Sequence, residues 1–97
     1  MRYEILLASE AVQDLKELDT HVRATVRDAI EKHLRHQPTR TSKSRIRRLR
    51  GLARPQFRLR VGEVRVFYDV FETRVEVLAI VLKSDAKAWL ERTGERS

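Results

Sequence analysis

Residues 55–83 read PQFRLRVGEVRVFYDVFETRVEVLAIVLK, and two alternating segments within this stretch decide the fold. In residues 57–61, and again in residues 64–70, every second residue is apolar, which is the period-two pattern of half-buried β-strands. Gly62-Glu63 separates the two segments and places glycine at the first position of a type II′ turn. The pattern therefore predicts a β-hairpin closed by this two-residue turn.

The predicted hairpin has one apolar face and one basic face. Arg60 stands opposite Arg65, and like charges directly opposite on a sheet are destabilising, which suggests that they bind a polyanion. Arginine is suited to this because its guanidinium grips phosphate with two donors. The alternative is that these arginines cover apolar sheet surface or pair with Asp69, Glu76 and the helices. The basic face carries Arg58, Arg60, Arg65 and Phe67.

The regions on either side of the hairpin complete an α+β pattern. Residues 74–82 form a nearly continuous apolar run, which is typical of a strand covered on both faces. Residues 2–7 predict a strand, and helical spacing predicts two antiparallel helices that extend to about His36. Short polar residues before the helical segments predict the caps Ser9, Thr20 and Ser84.

The predicted fold class is α+β, in one domain over residues 1–97. It comprises an N-terminal strand, an αα-hairpin, an antiparallel β-sheet of about four strands and a short C-terminal helix ended by Gly94. Residues 46–50 could add a short strand or a turn.

Composition restricts the chemistry. The 97 residues include no cysteine, which excludes disulfides, thiol catalysis and cysteine-based zinc sites. No apolar run approaches the length of about 18 residues that spans a bilayer. The N-terminal residues predict a strand rather than a signal peptide, so we expect a soluble cytoplasmic protein.

The charge is unevenly distributed. The formal net charge is +7, and the segment from Lys32 to Arg65 holds twelve Lys or Arg and one acid, Glu63. Clustered cations favour nucleic acid, because phosphate contacts release counterions, or an acidic protein partner. The alternative is a solvated basic face.

The roles of a lysine, a tryptophan and two histidines are each open to two interpretations. Lys83 ends the last strand and could exchange protons where arginine cannot, or it could be an ordinary exposed lysine. Trp89 could stack on a base or anchor the last helix. His33 and His36 are spaced i, i+3, but no carboxylate or cysteine completes a metal site, so we expect no metal or cofactor.

Residues 55–83 resemble the strand core of RelE/ParE-superfamily toxins of bacterial type II toxin–antitoxin systems. The shared pattern is aromatic-[RK]-[LI]-[RK]-x-G-x-x-R-x-x-Y, followed by a Val-rich strand that ends in a basic residue. The N-terminal strand, the αα-hairpin and the LRGL segment from Leu49 to Leu52 follow in the same order. The resemblance covers about residues 2–90 and implies a RelE-like fold.

The resemblance to the RelE-like branch implies a ribosome-dependent mRNA endonuclease, in which a 2′-OH attacks the adjacent phosphate. Arg58 and Arg60 match two basic strand positions, which are Lys in some relatives. Arg65 matches the arginine thought to hold the phosphate, and Lys83 matches the residue assigned to protonating the leaving group. Trp89 falls where many relatives have a tyrosine, and it lacks the phenol hydroxyl.

The expected partners are an acidic antitoxin, the ribosome and mRNA, with operator DNA bound only through the antitoxin complex and no membrane. Two alternatives share the fold, namely a ParE-like inhibitor of DNA gyrase and a catalytically weak, antitoxin-bound co-repressor. Further contacts to the RNA backbone are expected from Arg45, Arg47, Arg48, Arg50 and Arg54.

Overall fold

The alternating segments form the centre of a five-stranded sheet that has helices on both faces. The computed structural model describes residues 1–97. Its elements in chain order are β1 (Glu4–Leu7), α1 (Ser9–Glu17), α2 (Thr20–Leu34), β2 (Ile46–Arg48), β3 (Leu52–Arg54), β4 (Phe57–Val61), β5 (Val64–Phe71), β6 (Arg74–Leu82), α3 (Lys83–Thr93) and β7 (Glu95–Arg96).

The sheet order is β1-β6-β5-β4-β2, and β3 pairs with β7 in a separate two-stranded sheet. The α+β class is confirmed, and so is the predicted antiparallel sheet of about four strands, which β2, β4, β5 and β6 form. β1 pairs with β6 in parallel, so the main sheet is mixed. Local periodicity does not specify this pairing, because the two strands are far apart in the sequence.

The predicted hairpin register is confirmed. Val61 pairs with Val64 and Arg60 with Arg65 across the turn, where Gly62 has a φ of +57°. Glycine adopts this left-handed conformation without the steric cost that a Cβ would bring. β6 likewise has the predicted bounds.

The predicted helix caps are wrong. Ser9 and Ser84 lie inside the first turns of α1 and α3, whose N-caps are Ala8 and Leu82. Asp19 rather than Thr20 caps α2, and its carboxylate accepts a hydrogen bond from the backbone amide of His21 at 3.0 Å. A carboxylate at this position also complements the helix dipole.

The main core lies between the sheet and the αα-hairpin formed by α1 and α2. The buried side chains of Ala11, Leu15 and Val26 pack there against the apolar face of β4, β5 and β6. Burial raises the pKa of Tyr68, whose hydroxyl donates a hydrogen bond to the carbonyl of Pro38 at 2.7 Å. This bond fixes the segment after α2 against the sheet.

A smaller core lies on the opposite face, under α3. Phe67, Ala79 and Trp89 form it, and the rings of Phe67 and Trp89 stack with centroids 5.0 Å apart.

No helix in the chain is both long and apolar enough to span a bilayer.

Candidate nucleic-acid interface

Four arginines from three neighbouring strands share the sheet face on which α3 packs. Arg58 on β4 stands opposite Arg47 on β2 and Phe67 on β5, and Arg60 stands opposite Arg65. Cross-strand partners project to the same side of a sheet. We refer to Arg47, Arg58, Arg60 and Arg65 as the arginine cluster.

Arg65 is the most buried member of the cluster. The residue is 6% exposed, and its NH1 donates to the carbonyls of Gly62 and Val64 at 2.7 and 3.0 Å. These bonds tie the guanidinium to the hairpin turn. Its Nε and NH2 form no hydrogen bond within the chain, so Arg65 retains donors for an external acceptor.

Arg58 is half-buried and incompletely paired. Its NH2 donates to the carbonyl of Ser44 at a long 3.4 Å, and its buried Nε has no hydrogen-bond partner in the protein. Burial lowers the pKa of Arg58, and the neighbouring charges of Arg65, Arg47 and Arg60 lower it further. An unpartnered buried donor among like charges is costly unless an anion binds.

Arg54 differs from the cluster, and its predicted role in RNA contact does not fit the structure. Its Nε lies 2.9 Å from Asp69 Oδ2, and its NH2 lies 2.8 Å from Glu76 Oε1. Asp69 and Glu76 stand side by side on β5 and β6. The charge of the Arg54 guanidinium is therefore already neutralised. Asp69 and Glu76 are the same acids that the sequence analysis considered as possible partners of the hairpin arginines.

The other arginines predicted to contact RNA lie in different parts of the structure. Arg47 joins the arginine cluster. Arg48 lies over the ring of Phe57 at 5.2 Å, on the other side of β2, and Arg50 is exposed in the turn before β3. Arg45 lies beside His33, with NH1 2.9 Å from the imidazole Nε2, while its backbone carbonyl accepts from the amide of Arg60.

Trp89 is a core residue, and the alternative in which it stacks on a base is corrected. The side chain is 3% exposed and its face is covered by Phe67. Its Nε1 donates to Glu10 Oε2 at 2.8 Å, which links α3 to the first turn of α1. The ring has no free face to offer a nucleotide.

Lys83 and Arg65 are anchored to consecutive carbonyls of one turn. The backbone amide of Lys83 donates to the carbonyl of Glu63 at 2.7 Å, next to the Gly62 carbonyl that Arg65 holds. Glu63, Leu82, Lys83 and Ser84 line a cleft of about 470 Å³. The cleft therefore places an exposed amine and an exposed carboxylate next to the cluster.

Sequence reasoning did not single out Glu63, which lines this cleft. The available signal was that it is the one acid within the basic segment from Lys32 to Arg65. Together, the cluster and the cleft can bind an anion with several guanidinium donors and offer it groups that exchange protons.

Comparison with known proteins identifies the family. A family model described as the ParE toxin of the type II toxin–antitoxin system parDE matches residues 5–86. No curated protein matches the chain significantly.

Solved structures share the fold. A RelB–RelE antitoxin–toxin complex from Methanococcus jannaschii has 21% identity and a TM-score of 0.67, and the match covers 87% of this chain and 96% of that one. The toxin–antitoxin complex RelBE2 from Mycobacterium tuberculosis has 26% identity, coverage of 84% and 99%, and a TM-score of 0.64. A mutant of the toxin RelE from E. coli in the free state has 18% identity, coverage of 96% and 99%, and a TM-score of 0.70. The chain therefore belongs to the ParE toxin family within the RelE/ParE superfamily, and it is a toxin of a type II toxin–antitoxin system.

Proposed function

We propose that this toxin is a ribosome-dependent mRNA endonuclease whose arginine cluster binds the scissile phosphate. The observation that carries the proposal is the gathering of Arg47, Arg58, Arg60 and Arg65 on one face without an ion-paired acid, although Arg54 on the neighbouring strand β3 has two. A cationic cluster that a protein does not neutralise internally is suited to an external polyanion.

The chemistry requires little beyond positioning and charge stabilisation. The 2′-oxygen forms a bond to the adjacent phosphorus as the bond to the 5′-oxygen breaks, which leaves a 2′,3′-cyclic phosphate and a 5′-hydroxyl. Arg58 NH1 and the Nε and NH2 of Arg65 make no hydrogen bond within the chain, and these nitrogens can donate to the phosphate oxygens as negative charge develops. Preorganised donors aimed at developing charge supply a large part of enzymatic rate enhancement.

Two protons must move during this reaction. The 2′-hydroxyl loses one, and the departing 5′-oxygen gains one. We assign proton donation to Lys83 and proton acceptance to Glu63, because both line the cleft beside the turn that carries Arg65. A carboxylate and an amine in one cleft meet the requirement for a base and an acid.

The proposed protein partner is a small acidic antitoxin. The solved relatives include RelB–RelE complexes, in which a toxin of this fold is bound to its antitoxin. An acidic segment that lies over the arginine cluster would compensate its charge and exclude RNA at the same time.

Expression of the toxin without an antitoxin tests the proposal. Growth should stop, and translated mRNAs should be cut within their coding regions. Arg65→Ala should abolish both effects, and Arg58→Gln is run in parallel because Arg65 also holds the hairpin turn. Intact transcripts in growth-arrested cells would overturn the proposal.

Inhibition of DNA gyrase is the second candidate, because the matching family model is that of the ParE toxin. The discriminating experiment uses purified gyrase and supercoiled plasmid. Gyrase-dependent DNA breaks, together with intact mRNA on programmed ribosomes, would establish this alternative in place of the endonuclease.

A further inference from the structure

A second basic site lies behind the arginine cluster, at the end of α2. The cavity has a volume of about 410 Å³ and is open to solvent. Its lining contains five basic or histidine side chains, three hydroxyl groups, one amide and no acid. These residues are Lys32, His33, His36, Gln37, Arg40, Thr41, Ser42, Ser44, Arg45 and Ile46.

Hydrogen bonds hold the wall of this cavity in place. The amide of Arg45 donates to Ser42 Oγ at 3.0 Å, and the amide of Ser42 donates to the carbonyl of Ile46 at 3.0 Å. The hydroxyl of Tyr68 binds the carbonyl of Pro38 from the core below. A wall that is already ordered loses little conformational entropy when a ligand binds.

His33 orients the central cation. Burial lowers the pKa of His33, and the charges of Arg45 and Lys32 lower it further. The neutral imidazole can therefore accept a hydrogen bond at Nε2 from Arg45 NH1, at 2.9 Å. This contact uses one donor of Arg45 and leaves the remaining guanidinium donors for an anion.

The cavity adjoins the arginine cluster. Ser44 lines the cavity, and its carbonyl accepts a hydrogen bond from NH2 of Arg58 at 3.4 Å. The carbonyl of Arg45 binds the amide of Arg60 at 2.8 Å. The backbone of Ser44 and Arg45 therefore joins the cavity directly to the strand that carries Arg58 and Arg60.

We propose that this cavity binds a second backbone phosphate of the same RNA strand, next to the phosphate that the arginine cluster holds. The proposal rests on the proposed function and names a subsite for it. RNA is favoured over a protein partner because the lining has one hydrophobic residue, Ile46, which is itself buried. Hydroxyls and cations without an apolar anchor suit phosphate rather than a protein side chain.

Binding of a 2′-O-methyl RNA hexanucleotide tests the subsite without cleavage, because the nucleophile is blocked. Arg45→Gln and Arg40→Gln should each lower the affinity about tenfold and reduce the salt slope of log K by about 0.7, as expected for one lost phosphate contact. Lys43→Gln is the matched control, since Lys43 lies in the same loop, has the same charge and is absent from the lining. Its affinity should change less than twofold.

The outcomes separate the subsite from the nuclease. If Arg58→Gln weakens binding while Arg45→Gln and Arg40→Gln behave like Lys43→Gln, the subsite is overturned and the proposed function stands. If the cavity variants and Arg58→Gln all weaken binding but the wild type leaves mRNA on ribosomes intact, the phosphate subsite stands and the nuclease fails. Loss of antitoxin binding with unchanged hexanucleotide affinity would also overturn the subsite.

Discussion

The arginine of β3 and the arginines of the cluster differ in whether the protein neutralises their charge. Arg54 on β3 is bound by the carboxylates of Asp69 and Glu76 at 2.9 and 2.8 Å. Arg58 and Arg65 on the main sheet have no carboxylate partner, and their hydrogen bonds within the chain go to backbone carbonyls. The arginines of one basic segment therefore differ in availability, because neighbouring carboxylates determine which of them can still bind an external anion.

Replacing a cluster arginine should produce the largest effect. We expect Arg58→Gln to slow single-turnover mRNA cleavage on programmed ribosomes by about 10²–10³-fold, because one phosphate donor is lost. Its free energy of unfolding should not fall, because the change removes a half-buried charge from among like charges. A variant that cleaves normally but unfolds more easily would place Arg58 with Arg54 and remove the contrast.

Removing the proposed proton donor should have the second largest effect on the cleavage rate. We expect Lys83→Ala to reduce the cleavage rate by about 10²-fold, with an unchanged KM, since general acid catalysis acts on the chemical step. Lys87→Ala is the matched control, because Lys87 is also exposed and lies one turn further along α3. Equal rates for the two variants would exclude Lys83 from proton transfer.

Breaking the ion pairs of Arg54 should affect stability instead of activity. Arg54→Gln should lower the free energy of unfolding by about 1 kcal/mol, a modest loss because the Arg54 side chain is 44% exposed and solvent screens the pairs. Urea denaturation measures this loss. Cleavage should match the wild type, and a rate reduced as far as that of Arg58→Gln would show that Arg54 also contacts RNA.

The pH dependence of stability should show a small contribution from Asp69. Burial raises its pKa above the ordinary 3.8, with the hydrogen bond from the Gln56 amide and the charge of Arg54 opposing the rise. The native state therefore keeps the proton to higher pH than the unfolded state, so this contribution is present below 3.8 and is lost as pH rises through the native pKa. The urea midpoint of the wild type should fall relative to that of Asp69→Asn as pH rises through that window. A constant difference would contradict it.

The sequence predicted the hairpin well because its signals are local. Period-two alternation and a glycine at the turn fix which residue faces which, so Arg60 opposite Arg65 followed directly. The grouping of Arg58, Arg60 and Arg65 on one face needed no further information. The family resemblance is confirmed for the same reason, since its motif lies in this hairpin and the strand after it.

Features that depend on distant contacts could not be predicted. The partners of Arg54 are fifteen and twenty-two residues away, and only the assembled sheet brings Asp69 and Glu76 to it. The burial of Trp89 depends on its contact with Glu10 at the other end of the chain. The unpartnered Nε of Arg58 is a consequence of packing density, for which the sequence has no signal.

The most direct test observes the arginine Nε–H groups by NMR while a phosphodiester is added. Titration of the 2′-O-methyl hexanucleotide into toxin with labelled arginine should shift the Nε–H resonance of Arg58, because a phosphate bound to its guanidinium changes the environment of that group. The resonance of Arg54, whose Nε is bonded to Asp69, should remain in place. A shift at Arg54 with none at Arg58 would contradict the claim that the cluster is the phosphate site.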